Sequence, residues 1–190
     1  NLPVEWNGRF LFQGGGGLNG SVRPALGNIV AGDKAALARG FAVVSNDTGH
    51  QASGFDASFM ADQQAALNFL YQANEKVTIA AKRIVAAHYG RAAHHKYFIG
   101  CSTGGREAMM MSQRFPAYFD GIVAGAPAMR TSYSNLALRW ATTQLNAVAP
   151  VDAQGKPETA KALSETDRKL VIDGLLEACD ALDGAKDGLV

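Results

Sequence analysis

A short apolar run, Tyr97-Phe98-Ile99, leads into Gly100-Cys101-Ser102-Thr103-Gly104 and then into a helix-compatible run, Arg106-Glu107-Ala108-Met109-Met110-Met111. The pentapeptide fits G-x-S-x-G. Its setting between a strand and a helix constrains the chain more than the pentapeptide does alone. So sharp a turn predicts a strained backbone at Ser102 that lifts its hydroxyl above the sheet edge. Glycine is required at Gly100 and Gly104 because neighbouring chain passes too close for Cβ atoms. The Thr103 N–H then sits at a helix N-terminus, aimed where an oxyanion develops. The competing reading is a glycine-rich loop with a chance serine. The strand before and the helix after favour a nucleophile elbow.

The rest of the chain alternates in the same way. Arg9–Gln13 reads as a strand and runs straight into Gly14-Gly15-Gly16-Gly17; Phe41–Ser45 is a second buried strand, ending at Asn46-Asp47-Thr48-Gly49-His50. From Ser58 to Tyr89 the apolar spacing is helical, with a break or cap expected at Asn74 between two helices. After the elbow comes another short strand within Phe119–Pro127. Strands and helices alternating at this spacing predict an α/β fold with a largely parallel sheet. Beyond about Thr131 the character changes to two helices, Leu136–Asn146 and Thr166–Ala178, separated by the polar stretch Pro150–Glu158. No strand is evident after Val123. We therefore divide the chain into residues 1–130, the N-terminal part of a sheet-based catalytic core, and residues 131–190, the start of an inserted helical lid.

Composition removes several function classes. Of 190 residues, 47% are apolar and 18% charged, which suits a globular protein and not a disordered one. The net charge of +1 and the lack of a basic run give no footing for nucleic acid. No apolar stretch approaches the ~20 residues that a membrane helix needs. The 21 glycines cluster at the two turns already named and at Gly121–Gly125, as tight functional turns would require. No signal peptide is visible, and the abrupt start at Asn1 leads us to expect a segment that once preceded it. Nothing in the sequence sets an oligomeric state.

The block FIGCSTGGREAMMMSQRFPAYFDGIVAGAPA, within Tyr97–Ala128, resembles the tannase/feruloyl esterase family of α/β-hydrolases. WNGRFLFQGGGGLNG (Trp6–Gly20), GFAVVSNDTGH (Gly40–His50) and CDALDGAKDGLV (Cys179–Val190) resemble other blocks of the same family. The resemblance implies an α/β-hydrolase core with a lid, and hydrolysis of esters of small aromatic acids such as gallate or ferulate. The elbow alone is equally compatible with another serine acyl-transfer enzyme on this fold. A chain without a triad is also compatible with a binding module.

Ester hydrolysis by serine needs a nucleophile, a base, an orienting acid and two oxyanion donors. Ser102 is the expected nucleophile and the Thr103 N–H one donor. The second donor is expected from the loop after an early strand, as in HGGG-type esterases, which selects Gly16, with Gly15 next. In α/β-hydrolases the order is Ser, then Asp or Glu, then His. All four histidines, His50, His88, His94 and His95, precede Ser102. We read Asp47 and His50 as loop-stabilising or cleft-lining residues, His88, His94 and His95 as solvated residues near a helix end, and Arg106 as a surface or capping residue. The resemblance places the catalytic Asp and His downstream, so this chain is expected to be an internal part of a longer enzyme, inactive by itself.

Cys101 and Cys179 could pair with each other or remain two buried thiols. The resemblance implies instead that each is half of a disulfide. The partner of Cys101 would follow the catalytic His, and that of Cys179 would lie just past Val190. Such bonds imply a secreted or periplasmic protein. Near the end of the chain, Asp180, Asp183 and Asp187 stand at offsets of zero, three and seven in a glycine-containing loop. With the carbonyls of Ala185 and Leu189 they would make an oxygen shell for Ca²⁺, although a solvated acidic turn fits the same spacing. The resemblance implies a structural calcium loop in the lid.

Overall fold

The structure is a computed structural model that describes residues 1–27 and 33–189. Four strands form a fully parallel sheet: β1 (Arg9–Gln13), β2 (Ala42–Val44), β3 (His95–Cys101) and β4 (Gly121–Gly125), in the spatial order β2-β1-β3-β4. Parallel strands covered on both faces carry continuous apolar runs, which is why Phe10-Leu11-Phe12 and Tyr97-Phe98-Ile99 lack polar alternation. Register sets Phe12 beside Phe98, and Phe98 beside Ile122. On one face, Phe10, Phe12 and Phe98 pack with Ala81, Val85, Ala108, Met111 and Phe119. Phe12 and Phe98 stack at 4.8 Å, and Phe119 meets Phe98 edge-on at 5.5 Å. On the other face, Leu11 and Val43 pack with Ala25. Each large side chain so buried contributes about 1.5–3 kcal/mol.

The helical stretch between β2 and β3 differs from the sequence expectation. Asp62 caps α1 (Gln63–Leu67) by accepting from the Ala65 N–H at 2.7 Å. The chain then widens into a π-helical turn, Asn68–Gln72, and continues without interruption as α2 (Ala73–Tyr89). Asn74 is therefore not a break. It is fully buried inside α2, where its Oδ1 accepts from Asn46 Nδ2 at 2.9 Å. A buried partner on the loop after β2 outweighs the usual preference of Asn for caps. Gly90 ends α2 in the left-handed conformation.

After β3 the chain enters α3 (Thr103–Arg114), whose buried residues Thr103, Glu107 and Met111 recur every four positions, with Gly104 and Ala108 beside them. That stripe seats α3 against the sheet. The described residues fall into two compact units, 1–129 and 130–190. The second holds α4 (Thr131–Val148) and α5 (Glu165–Cys179), with a bridge between Val151 and Pro157 in the connection. Ser164 and Asp167 form a reciprocal capping box at the start of α5. Among the described residues, no helix is long and apolar enough to cross a membrane.

Candidate active site

The strand order decides where a site can form. The chain moves from β1 to β2 on one side, and then to β3 on the other side of β1. Loops leaving the C-terminal ends of β1 and β3 thus diverge at the switch point, where open α/β sheets leave a crevice. The loop after β1 is Gly14–Gly17, and the turn after β3 carries Ser102.

Ser102 is exposed and has φ 59° and ψ −119°, a strained conformation for a residue with a side chain. Such backbone costs about 1–3 kcal/mol and persists only where surrounding bonds over-determine it. Here they do. The Ser102 N–H donates to the Gly125 carbonyl at 3.1 Å, and its own carbonyl accepts from Arg106 N and Ala128 N, each at 3.0 Å. A Cβ at Gly100 would collide with the Gly104 carbonyl. One at Gly104 would come within 2.6 Å of the Gly15 carbonyl. Both glycines are required by this close approach of backbone, as the sequence predicts.

The glycine loop is bound closely to the start of α3. Gly14 N donates to Ile99 O at 2.8 Å, extending the β1–β3 pairing by one step. Gly104 N donates to Gly15 O at 3.1 Å, and the Thr103 hydroxyl donates to Gly17 O. Gly15 N donates to Glu107 Oε2 at 3.2 Å. The Gly16 carbonyl accepts from Asn19 N at 3.0 Å, whereas no acceptor takes the Gly16 N–H among the described residues. Space beside Gly16 is open, since a Cβ there would meet nothing within 4 Å. Of the two candidate loop donors, Gly15 has its N–H engaged and Gly16 does not. Thr103 N–H, the first of α3, has no acceptor within the helix.

Among the described residues, no histidine hydrogen-bonds Ser102. Asp47 Oδ1 accepts from Gly49 N at 2.8 Å and so shapes its own loop, in which Thr48 has a positive φ. His50 stacks on Phe59 with ring centroids 3.5 Å apart and lies edge-on to Phe69. Its Nε2 is buried without a partner. His88, His94 and His95 are exposed. Only His88 ends a helix; His95 opens β3.

Arg106 departs from expectation. It is neither a surface residue nor a side-chain cap. Its guanidinium donates to the Phe69 and Leu70 carbonyls at 3.1 and 3.2 Å and lies over the Phe69 ring at 4.3 Å. Both carbonyls belong to the π-helical turn, which Arg106 thereby ties to α3. Burial lowers its pKa, while the neighbouring Glu107 raises it. Glu107, not among the residues expected at the site, is fully buried. Burial pushes its carboxyl up, opposed by the Gly15 N–H, Asn19, Arg106 and Asn74. The available signal was its place at the centre of the 103–107–111 stripe.

In the second unit, Asp180 is buried at the end of α5, and its Oδ1 accepts from Asp187 N (3.1 Å) and Gly188 N (2.9 Å). Asp183 and Asp187 accept from the N–H groups of Ala185 and Leu189. Among the described residues, no three His, Cys, Asp or Glu side chains gather as a metal cluster. As they stand, these carboxylates order their own loop. Cys101 and Cys179 are free thiols, the first exposed at the end of β3 and the second half-buried at the end of α5.

The sequence profile of the family described as tannase and feruloyl esterase matches residues 1–190. The chain is 46% identical to the mono(2-hydroxyethyl) terephthalate hydrolase of Piscinibacter sakaiensis, over all of this chain and 33% of that protein. It is 33% identical to a probable feruloyl esterase B-1 of Neosartorya fischeri, again over all of this chain and 33% of the relative. The crystal structure of feruloyl esterase B from Aspergillus oryzae superposes with a TM-score of 0.75 at 34% identity, covering 98% of this chain and 34% of that one. The tannin acyl hydrolase from Aspergillus niger gives 0.63 at 26% identity, over 99% of this chain and 33% of its own. The chain thus spans about a third of the length of these relatives, and its parallel sheet with packed helices has the α/β-hydrolase fold. The chain belongs to the tannase and feruloyl esterase family.

Proposed function

We propose that the protein containing this chain is a serine carboxylic-ester hydrolase acting on esters of small aromatic acids. The observation that carries this reading is the backbone of Ser102, held at φ 59° and ψ −119° at the switch point of the sheet. The names of the relatives share an aromatic acyl group: feruloyl, terephthalate and tannin acyl. Ser102 Oγ attacks the ester carbonyl while its proton passes to a general base. The N–H groups of Thr103 and Gly16 take the developing oxyanion, and the alcohol leaves with the proton. Water then cleaves the acyl-serine, releasing the acid and restoring Ser102. The base His and its orienting acid belong to this reading as residues outside 1–190. In the full-length protein, Ser102→Ala should lower turnover of an aryl ester by at least about a thousandfold. Near wild-type turnover would refute the assignment.

The same reading takes Cys101 and Cys179 as disulfide partners of cysteines outside this chain, in a protein exported to an oxidising compartment. It also takes the loop from Asp180 to Leu189 as a structural Ca²⁺ site, for which Asp183 and Asp187 must turn from the Ala185 and Leu189 N–H groups to the cation. Adding Ca²⁺ to chelator-treated protein should then raise the melting temperature and leave the Ser102 chemistry in place. An unchanged melting temperature would count against the loop.

A further inference from the structure

The two N–H groups proposed to face the oxyanion lie on segments far apart in sequence, at Gly16 and Thr103. Their separation must nevertheless hold to a few tenths of an ångström for both to serve one oxygen. Three hydrogen bonds tie the glycine loop to the first turns of the nucleophile's own helix. Gly104 N binds Gly15 O, the Thr103 hydroxyl binds Gly17 O, and Glu107 Oε2 binds the Gly15 N–H. Only the last comes from a charged side chain that reaches across the fold. The other oxygen, Glu107 Oε1, accepts from Asn19 Nδ2 at 2.6 Å. Asn19 in turn closes the loop by donating its backbone N–H to Gly16 O at 3.0 Å. The two oxygens of one carboxylate therefore clamp both sides of Gly16, at Gly15 and at Asn19.

A fully buried acid costs several kcal/mol unless every lone pair is used, so a carboxylate with no charge-bearing task is a poor choice for this stripe. An apolar residue would fill the space as well. It would leave the Gly15 N–H without an acceptor and Asn19 without its partner. We infer that Glu107 is a positioning residue of the ester-hydrolysing site, holding the Gly14–Gly17 loop so that the Gly16 N–H stays free and in register with the Thr103 N–H. This role presupposes the serine-esterase reading of Ser102.

Glu107→Gln tests it in the full-length protein. The amide keeps the shape of the side chain and can accept from Asn19, but it sets an NH₂ against the Gly15 N–H. The expected result is a fall in kcat of about ten- to a hundredfold on an aryl ester with KM within about threefold, because only the transition-state oxygen is affected. Affinity for phenylboronic acid, whose tetrahedral serine adduct places an oxygen in the same hole, should fall by the same factor as kcat. A change confined to KM, or kcat within twofold of wild type, would overturn the inference. If Glu107→Gln does not fold, Asn19→Gly decides. Asn19 has φ 55°, which glycine adopts freely, so this variant removes the side-chain donor without straining the backbone. It should lower kcat and boronate affinity together by about three- to tenfold, and unchanged values would overturn the inference. Ser102→Ala run in parallel separates the two claims: if that variant remains active, the esterase reading itself fails, whatever Glu107 does.

Discussion

Within this chain, residues 1–129 and 130–190 are held in different ways. The first unit buries Phe10, Leu11, Phe12, Phe98 and Met111 almost completely around its sheet. In the second, Asp180 is the only buried residue among those described, and large side chains such as Leu136, Trp140 and Leu170 lie about 70% exposed. Its helices are defined locally instead, by the capping box at Ser164 and by the i,i+4 pair of Lys169 with Asp173. The contrast shows what a site needs. A strained serine and a glycine loop can be held only where a packed core over-determines them, and every residue of the proposed oxyanion geometry lies in the first unit.

Substitutions should expose this difference in order of size. Phe98→Ala removes a fully buried ring that stacks on Phe12 and meets Phe119. It should cost about 3–5 kcal/mol of unfolding free energy in denaturant titration. A loss below about 1 kcal/mol would mean the first unit is not the cooperative core. Gly100→Ala drives a methyl into the Gly104 carbonyl, where the backbone cannot yield without deforming the elbow. A loss of about 3 kcal/mol is expected, together with loss of ester turnover; an active, stable variant would contradict the close approach. Ser164→Ala removes one half of the capping box and should cost only about 1 kcal/mol, read as fraying of α5 by amide hydrogen exchange. Turnover by that variant should be unchanged, and a large loss would show that the second unit holds the site directly.

The sequence made the first unit's skeleton legible because its signals are local. A strand, a G-x-S-x-G turn and a helix in succession announce Ser102. Four consecutive glycines after an aromatic strand announce the loop that meets it. What stayed hidden depends on contacts between distant segments. Glu107 looks like an ordinary solvated helix charge until Gly15 and Asn19 are brought to it from about ninety positions earlier. Arg106 looks like a surface residue because nothing in the chain marks the π-helical turn whose carbonyls it takes. Asn74 looks like a helix break because its partner, Asn46, lies on another element. In the second unit the helices were legible, since caps and periodicity are local too.

The most direct test of the central claim is peptide mapping by mass spectrometry of the full-length, ester-hydrolysing protein after treatment with a fluorophosphonate. A hydroxyl raised on a strained elbow, with free N–H groups beside it, should give a single adduct on Ser102, with activity lost in proportion to labelling. Full turnover by a protein that carries no adduct at Ser102, or inactivation through an adduct elsewhere, would contradict the account.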